Sequence, residues 1–266
     1  MVFILQFYQK KFLCLLFNCQ LSKLFSMKID IAKSNASSPY LPQSRIKDFL
    51  SVIRTNVCYR VWRRKLALYS GINSDTAFRM LDVGCGPGYF LRCAENWFQG
   101  CEITGLDSNK SLLDYAARRL KMVKLVAHDG QILPFIDGEF NVVSSLQVIE
   151  HLEDPPSFFR EANRVLKPGG LLIIATPNPN CITAQTLGRN WHGYRSDHIS
   201  LKTPDQWRKI MERAHFKILD DGTTGLTGFK VLQKLPFALI NWIPLAMFGY
   251  FKWYKGESYM AIAKKV

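Results

Sequence analysis

The sequence predicts an α/β fold in which a mostly parallel sheet is covered by helices on both faces. From residue 78 onward, short apolar runs typical of buried strands alternate with segments typical of helices. The first run ends in a glycine-rich turn, and later runs end in acidic or polar residues. Because parallel strands present their carboxyl ends at one edge of the sheet, these residues are expected to line one ligand site.

Composition indicates one folded domain of the larger kind. The 266 residues are 48% hydrophobic and 21% charged, as in globular proteins. The seven cysteines include no C-x-x-C pair, so neither a zinc site nor a disulfide framework is predicted and a cytoplasmic location is expected. Residues 1–75 carry 12 Lys/Arg against 3 Asp/Glu, so most of the net charge of +14 lies in this part of the chain. This excess indicates either an acidic partner or a solvated helix face.

The first 75 residues are predicted to form an N-terminal extension. Residues 2–25 are strongly apolar, but Lys10 and Lys11 interrupt them and leave runs too short for a membrane span. An interfacial helix is one interpretation, and a native start at Met27 is the other. After a linker over 33–44, residues 45–70 are predicted to be a helix. Its apolar stripe is expected to comprise Ile46, Phe49, Leu50, Ile53 and Val57.

The remaining elements follow in alternation. The predicted strands are 79–83, 102–106, 123–127, 140–146, 171–175, 216–219 and 258–263. The predicted helices are 88–98, 109–121, 156–166 and 204–214, and 167–170 is predicted to be a turn.

The turn after the first strand is predicted to hold a nucleotide-like cofactor. Glycines at 84, 86 and 88 permit positive φ and close approach of a ligand to the backbone. The following helix N-terminus offers N–H groups to an anionic group. A dinucleotide fingerprint G-x-G-x-x-G would need a glycine at position 89, which is Tyr89. Asp107, 23 residues beyond Gly84, suits hydrogen bonding to ribose hydroxyls, whether the cofactor is a dinucleotide or another nucleotide-like molecule.

Four motifs in order resemble the class I S-adenosylmethionine (SAM)-dependent methyltransferases of the small-molecule type, including the ubiquinone-biosynthesis-like O-methyltransferases. They are D-x-G-x-G-x-G from Asp82, Asp129 with Leu133-Pro134-Phe135, Val148–Leu152, and Leu166-Lys-Pro-Gly-Gly. The resemblance covers about residues 78–265. It implies a Rossmann-like sheet of seven strands with the last antiparallel, and SAM as the cofactor. The cofactor-binding residues that it implies are Asp82, Gly84, Cys85, Gly86, Gly88, Asp107, Ser108, Asp129, Gly130 and Gln147.

Three histidines near the expected site are candidates for catalysis. A hydroxyl acceptor must lose a proton, and His151, His192 and His198 are the candidate proton acceptors. Glu150-His151 with a later histidine also resembles the E-x-x-E-H…H arrangement of metal-dependent O-methyltransferases. Here Gln147 replaces the first acid, and a neutral amide is a weaker ligand for a hard cation such as Mg²⁺. No metal site is therefore predicted.

The sequence bears on the acceptor in two places. No Asn/Asp-Pro-Pro-aromatic motif follows the fourth strand, which disfavours nucleic-acid bases. Residues 235–251 are uncharged and flanked by Lys230, Lys234, Lys252 and Lys255, which favours a lipid-like acceptor or peripheral membrane contact. The alternatives are a lid packed on the core and a dimer contact; the sequence does not give the oligomeric state. Pro236 and Pro244 argue against one straight spanning helix.

The predicted organisation is an extension over 1–75 and a methyltransferase domain over 76–266 with an apolar insertion at 222–257. The predicted function is methyl transfer from SAM to a small or lipid-linked acceptor, at oxygen. RNA or protein methylation is the alternative enzyme class, and a degenerate SAM-binding scaffold is the alternative without catalysis.

Overall fold

The computed structural model describes residues 38, 40–226, 229 and 238–266. These residues form seven strands, which are β1 (Phe78–Val83), β2 (Cys101–Asp107), β3 (Val123–Ala127), β4 (Phe140–Leu146), β5 (Leu166–Pro177), β6 (Phe216–Thr223) and β7 (Ser258–Lys265). Their α-helices are α1 (Arg45–Ser70), α2 (Tyr89–Trp97), α3 (Lys110–Ala117), α4 (Pro155–Val165), α5 (Ile182–Leu187), α6 (Pro204–Arg213) and α7 (Ala238–Phe248). Residues 1–37, which include the apolar segment and Met27 discussed above, lie outside the described residues.

The strands form one sheet in the order β3-β2-β1-β4-β5-β7-β6. The pairs from β3 to β5 are parallel, whereas β7 runs antiparallel to both of its neighbours. This arrangement confirms the predicted seven-stranded sheet and its antiparallel last strand. The carboxyl ends of β1, β2, β3, β4 and β5 therefore meet at one edge, which is where ligands of such sheets bind.

The sheet separates two hydrophobic cores because successive side chains of a strand point to opposite faces. Met80 of β1 packs with Trp62, Leu66 and Leu91 on one face. Leu81, the next residue, packs on the other face with a cluster that includes Phe159, Trp207 and Leu172. Helices α1 and α2 cover the first face, and α4 and α6 cover the second.

Helix α1 has the predicted bounds but not the predicted apolar stripe. Ser44 caps its first turn by accepting from the Lys47 amide, and Gly71 ends it in the left-handed conformation. Ile46 and Leu50 are 72% and 48% exposed, so the predicted stripe is wrong at these positions. The buried side chains of α1 are Asp48, Val52, Thr55, Val57, Val61, Trp62 and Leu66.

The physical reason for this difference is the buried carboxylate of Asp48. Its Oδ1 accepts hydrogen bonds from Tyr89, Tyr115 and Arg119 at 3.0, 2.7 and 2.5 Å. A buried charge is tolerated where it is paired and hydrogen-bonded. These bonds fix which side of the first turns of α1 faces the sheet, and they turn Ile46 and Leu50 outward.

Three other local predictions differ from the structure. Residues 167–170, predicted as a turn, lie within β5, where the pairing with β4 shifts register and Gly169 has φ +74°. Helix α3 ends at Ala117 rather than at 121, and β6 continues to Thr223 rather than ending at 219. Helices α5 and α7 were not predicted, because neither has a clear amphipathic pattern.

Helix α7 contains Pro244, which removes one backbone hydrogen bond from its interior. Within the described residues, every helix is too short or too polar to cross a bilayer. Pro236, Lys230 and Lys234 lie outside the described residues, whereas Lys252 and Lys255 are described.

Candidate active site

The glycine turn between β1 and α2 has the backbone conformation that the sequence predicted. Gly84, Gly86 and Gly88 have φ values of +74°, +53° and +77°. The amides of Gly84 and Cys85 both donate to the carbonyl of Leu106, at 2.7 and 3.0 Å, which fixes the turn against β2. A Cβ on Gly84 would lie 2.3 Å from Val148 Cγ2. The absence of a side chain therefore lets the segment after β4 approach the turn.

Gly86 provides the test of whether a cofactor fits this turn. A Cβ built on Gly86 would meet no atom within 4 Å, so the turn faces open space there. Its amide donates to Asp107 Oδ2 at 2.8 Å. Gly88 is the N-cap of α2, and among the described residues no side chain caps this helix N-terminus by a hydrogen bond. A bare, left-handed backbone beside a helix N-terminus suits an anionic or nucleotide-like ligand.

The acids at the ends of β2 and β3 lie along the same edge. Asp107 accepts from the Gly86 amide through one carboxylate oxygen and from the Asn109 amide through the other, at 2.8 Å each. It is partly exposed, so further lone pairs are available to ribose hydroxyls. Asp129 is exposed and accepts from the Gln131 amide at 3.0 Å. Ser108 is exposed as well.

Two buried groups underlie this edge. Asp82 accepts from Ser144 Oγ at 2.6 Å, and burial raises its carboxyl pKa to about 7. Cys85 is buried, and burial raises the pKa of its thiol, so it remains protonated at neutral pH. Gly130 is buried with φ +78°, and its turn packs against Val83. The implied contact of Asp82 with the methionine ammonium stays a prediction.

The segment after β4 carries backbone strain. Gln147 is exposed and has φ +62°, which is uncommon for a residue with a side chain. Its amide donates to the Ala175 carbonyl of β5 at 2.6 Å, and this bond helps to hold the conformation. Strained residues of this kind cost roughly 1–3 kcal/mol and cluster at functional sites. The strain therefore supports the prediction that Gln147 lines the ligand site.

Directly after Gln147 the chain brings three ionisable side chains together. Glu150, His151 and His198 each offer one ligand atom, and these atoms lie within 4.8 Å of one another. The two imidazole rings are edge-to-face with centroids 4.7 Å apart. His198 is 47 positions further along the chain than His151, and its loop is joined to this segment by the Ser200 amide, which donates to the Glu150 carbonyl. We call these three residues the Glu150 cluster.

The backbone fixes the tautomers of both histidines. His151 Nδ1 lies 2.8 Å from the Asp197 carbonyl oxygen, and His198 Nδ1 lies 2.8 Å from the Gly193 carbonyl oxygen. A carbonyl oxygen only accepts, so in each ring Nδ1 carries the hydrogen and Nε2 of the neutral imidazole keeps a lone pair. Burial lowers the pKa of His198. This ring is therefore neutral, and able to accept a proton, at neutral pH.

Glu150 is fully buried and only half satisfied. Its Oε2 accepts from Thr176 Oγ1 at 3.0 Å, whereas Oε1 has no hydrogen-bond partner among the described residues. Burial raises the Glu150 pKa to about 7. A buried carboxylate oxygen without a partner costs stability, and such a group is retained where a ligand or a reaction uses it.

The Glu150 cluster could hold a metal ion. One carboxylate and two imidazole nitrogens suit a borderline cation better than Mg²⁺, which prefers oxygen ligands. Each imidazole donates its other N–H to a carbonyl, as metal-bound histidines commonly do. The sequence predicted no metal because Gln147 occupies the place of an acid, and that stays a prediction.

His192, the third candidate proton acceptor, contacts a different carboxylate. Its Nε2 lies 3.8 Å from Oε2 of Glu257, and the His192 side chain is 61% exposed. Glu257 is buried just before β7 and accepts from Trp191 Nε1 at 2.8 Å and from Thr183 Oγ1. Glu257 therefore anchors the loop that carries His192.

Sequence reasoning missed Glu257, Thr176 and Tyr40. Tyr40 donates to Asp197 Oδ2 at 3.0 Å, next to the carbonyl that orients His151. Their roles depend on contacts between residues far apart in the chain, and no local motif marks them.

Comparison with known proteins agrees with this geometry. Residues 54–220 match the family model of a methyltransferase domain. The demethylmenaquinone methyltransferase of Thermotoga maritima is 28% identical over 179 residues, which are 59% of this chain and 77% of that protein. The malonyl-[acyl-carrier protein] O-methyltransferase of Enterobacter lignolyticus is 30% identical over 180 residues, 65% of this chain and 64% of that protein.

Other relatives match over a smaller part of their length. For several of them the matched segment covers between 36% and 45% of the relative. Among solved structures, a SAM-dependent methyltransferase of Thermotoga maritima described as a possible histamine N-methyltransferase has a TM-score of 0.58 at 17% identity. The match covers 83% of this chain and 94% of that chain, and it shows the shared fold. With the glycine turn, the strand-end acids and the sheet order, these matches show that the chain belongs to the class I SAM-dependent methyltransferases.

Proposed function

We propose that the protein moves a methyl group from SAM to an oxygen atom of a small or lipid-linked acceptor. The observation that carries this proposal is the pair His151 and His198, each of which has one ring nitrogen within 4.8 Å of a carboxylate oxygen of buried Glu150. Imidazoles whose tautomers are fixed by backbone carbonyls suit removal of a proton from a hydroxyl group. His151 lies in the segment after β4, whose Val148 contacts the glycine turn, and this position suits an acceptor that meets the cofactor there.

SAM, when bound, supplies a methyl group already activated on a sulfonium. The backbone of Gly84, Gly86 and Gly88 and the carboxylate of Asp107 would hold it, with Asp129 toward the base. The remaining task of the chain is to align the acceptor, exclude water and take up one proton. An imidazole Nε2 accepts the hydroxyl proton while Nδ1 stays bonded to its backbone carbonyl, so the ring keeps its orientation.

The acceptor class rests on two observations. One relative acts by name on demethylmenaquinone and another on malonyl-[acyl-carrier protein], and both names fit small or carrier-linked acceptors. In this chain, residues 235–251 are uncharged and flanked by lysines. We therefore propose a lipid-like acceptor and peripheral membrane contact through 235–251. We also propose that 76–266 is the catalytic domain and that 1–75 is an extension whose helix α1 packs onto it.

Mass spectrometry of acceptor fractions tests this function directly. The full chain is incubated with methyl-labelled SAM and, separately, with lipid and polar extracts of cells. The proposal expects label in one class of lipid or small-molecule product, as a methyl ether or ester. Label confined to RNA or protein, or no transfer to any fraction by a chain that binds SAM, would contradict it.

Replacing Gly86 by alanine is expected to weaken SAM binding by roughly tenfold or more, which corresponds to about 1.4 kcal/mol. The new methyl group would point into the open space that the cofactor is expected to fill. Gly71→Ala is the matched control, because Gly71 also has positive φ and open space around its Cβ but ends α1. Both variants should lose about 1 kcal/mol of stability.

Isothermal titration calorimetry with SAM measures the two affinities. Equal SAM affinity of the Gly86→Ala and Gly71→Ala proteins would remove Gly86 from the cofactor site.

Dialysis against a chelator is expected to leave methyl transfer unchanged. The reason is that Gln147 is a neutral amide, so the Glu150 cluster offers one carboxylate and lacks the second acid that a hard cation favours. Initial rates before and after dialysis, with and without added Mg²⁺, Mn²⁺ or Zn²⁺, provide the measurement. A loss of activity that one of these ions restores would assign the cluster to a metal instead.

A further inference from the structure

An apolar surface bordered by cations lies where the second half of α1 meets the end of α7. Leu68, Met247 and Phe248 are 69%, 51% and 56% exposed. With Val61, Arg64 and Lys65 they line an open groove of about 250 Å³. We call Leu68, Met247, Phe248, Arg64, Lys65 and Lys252 the α1–α7 surface.

Adjacent exposed apolar side chains of this size commonly mark an interaction site. The backbone between the two helices is close-packed, since a Cβ on Gly249 would lie 2.4 Å from Val61 Cβ. The apolar tips beside it remain outside this packing. The ring of Phe248 also packs against that of Phe251, with centroids 5.9 Å apart and an interplanar angle of 55°, which continues the apolar character toward Lys252.

The cations of the surface are held next to its apolar side chains. Arg64 donates to the carbonyl of Met247. Lys65 pairs with Asp220, and Lys252 Nζ lies 3.4 Å from the same carboxylate while its own side chain is 72% exposed. Because one largely buried carboxylate is shared by two lysines and Arg64 adds a further charge, the surface keeps a net positive charge. Its charge is complementary to an anionic partner.

The surface is attached to the edge of the sheet that carries the active site. Phe251 forms an isolated β-bridge with Thr223, and Asn241 of α7 bonds to the amide and the carbonyl of Leu226. Thr223 lies at the carboxyl end of β6 and is paired with Tyr259 of β7. Tyr259 is paired in turn with Thr176 of β5, and Thr176 donates a hydrogen bond to Glu150. The helix that presents Met247 and Phe248 is therefore anchored at the carboxyl edge of the sheet.

We infer that the α1–α7 surface docks on the face of a bilayer that contains anionic phospholipid. The apolar tips enter the boundary between headgroups and acyl chains, and Arg64, Lys65 and Lys252 meet the phosphates. The inference deepens the membrane contact proposed above and rests on that proposal. It places the membrane contact not on residues 235–251 alone but on a surface to which α1 also contributes side chains.

Vesicle flotation of the full chain tests the inference. Phosphatidylcholine vesicles are compared with vesicles that also contain phosphatidylglycerol. The wild-type protein should float with the anionic vesicles, and added salt should weaken binding because it screens exposed charges. Lys252→Glu should weaken binding about tenfold or more, since each cation near an anionic surface contributes about fivefold and the variant reverses the charge. Leu68→Ser with Phe248→Ser should weaken it at least roughly tenfold.

Two control variants are matched in chemistry and lie elsewhere. Ile136→Ser removes a side chain that is 72% exposed in the loop before β4. Lys209→Glu reverses an exposed charge on α6, which covers the opposite face of the sheet. Both should bind vesicles like wild type. Melting temperatures and SAM affinities of all variants, measured in parallel, separate loss of docking from loss of fold or cofactor.

Three results would overturn the inference. Failure of the wild-type protein to float with anionic vesicles would exclude an anionic membrane as the partner of this surface. Unchanged flotation of the Lys252 and Leu68/Phe248 variants would place the contact on residues outside this surface. A dimer in sedimentation analysis that only the Leu68/Phe248 variant dissociates would assign the surface to a second copy. Failure of the proposed function is distinct, since vesicle binding would then persist without methyl transfer.

Discussion

Replacing His151 and His198 together by asparagine is expected to lower kcat by roughly 10²–10⁴-fold while SAM affinity stays unchanged. Both rings belong to the Glu150 cluster and carry hydrogen on Nδ1, so that Nε2 is the nitrogen that can accept a proton. Asparagine keeps a polar side chain but cannot take up the acceptor's proton. The single variants then identify the proton acceptor, because replacing a ring that only orients its neighbour should lower kcat less than replacing the proton acceptor itself.

His192→Asn is the matched control for this experiment. His192 is exposed and lies beside Glu257 rather than in the cluster, so its replacement should leave kcat within about threefold of wild type. Initial rates with labelled SAM and the identified acceptor give kcat and KM separately. A double variant as active as the wild-type enzyme, or a His192 variant that loses as much, would contradict the assignment.

The same pair predicts the direction of the pH dependence. The proton acceptor must be neutral, and burial lowers the pKa of His198 below the ordinary histidine value. The rate should therefore hold through neutral pH and fall only as the pH drops below the usual histidine range. This acid limb should disappear in the variant that lacks the proton acceptor.

Replacing Glu150 by glutamine is expected to stabilise the protein at pH 8 and to lower its activity. Burial raises the Glu150 pKa from the model-compound value of 4.5 to about 7, and Oε1 has no hydrogen-bond partner among the described residues. Above pH 7 the folded protein holds an ionised carboxylate in an apolar site at a cost of about 2–4 kcal/mol. Glutamine removes that charge, so the gain should be largest above pH 7.

The size of this stability gain changes with pH in a defined window. A raised pKa means that the folded state binds a proton between pH 7 and about 4.5 while the unfolded state does not. The cost of the carboxylate therefore shrinks as the pH falls through this range, and the two proteins should have similar stabilities near pH 4.5. Urea denaturation at pH 8, 6 and 5 measures this difference.

Glu153→Gln serves as the control for Glu150→Gln because Glu153 is exposed three residues further on. It should change the unfolding free energy by less than about 0.5 kcal/mol at each pH. If Glu150→Gln instead destabilises the protein at pH 8, the carboxylate is paired with a bound cation or an imidazolium. That result would favour the metal interpretation of the cluster over the proton-acceptor one.

The sequence predicted those features whose cause is local. Buried strands reveal themselves by apolar runs, and the glycines of 84–88 reveal the turn because positive φ excludes most side chains. Asp107 is the last residue of β2, and Asp129 lies two residues after the end of β3. Bounds of α1 also follow from local chemistry, since Ser44 caps its start and Gly71 ends it.

Features that depend on distant contacts were not predictable in the same way. The outward orientation of Ile46 follows from Asp48, whose partners Tyr89, Tyr115 and Arg119 lie far along the chain. Residues 167–170 have the composition of a turn, but they form an irregularity within β5, because the pairing with β4 passes from Leu166 directly to Leu171. The sequence alone did not distinguish among the three histidines that were candidate proton acceptors. Only the loop geometry separates His151 and His198 from His192, which contacts Glu257.

The central claim is that the edge formed by the glycine turn, Asp107 and Asp129 binds SAM. Calorimetric titration of the full chain with SAM tests it most directly, with the Asp107→Asn variant and NAD⁺ as comparisons. We expect saturable heat at one SAM per chain, clearly weaker binding by the Asp107→Asn protein, and no heat with NAD⁺. Absence of heat with SAM from a folded chain, or saturable binding of NAD⁺ at this edge, would contradict it.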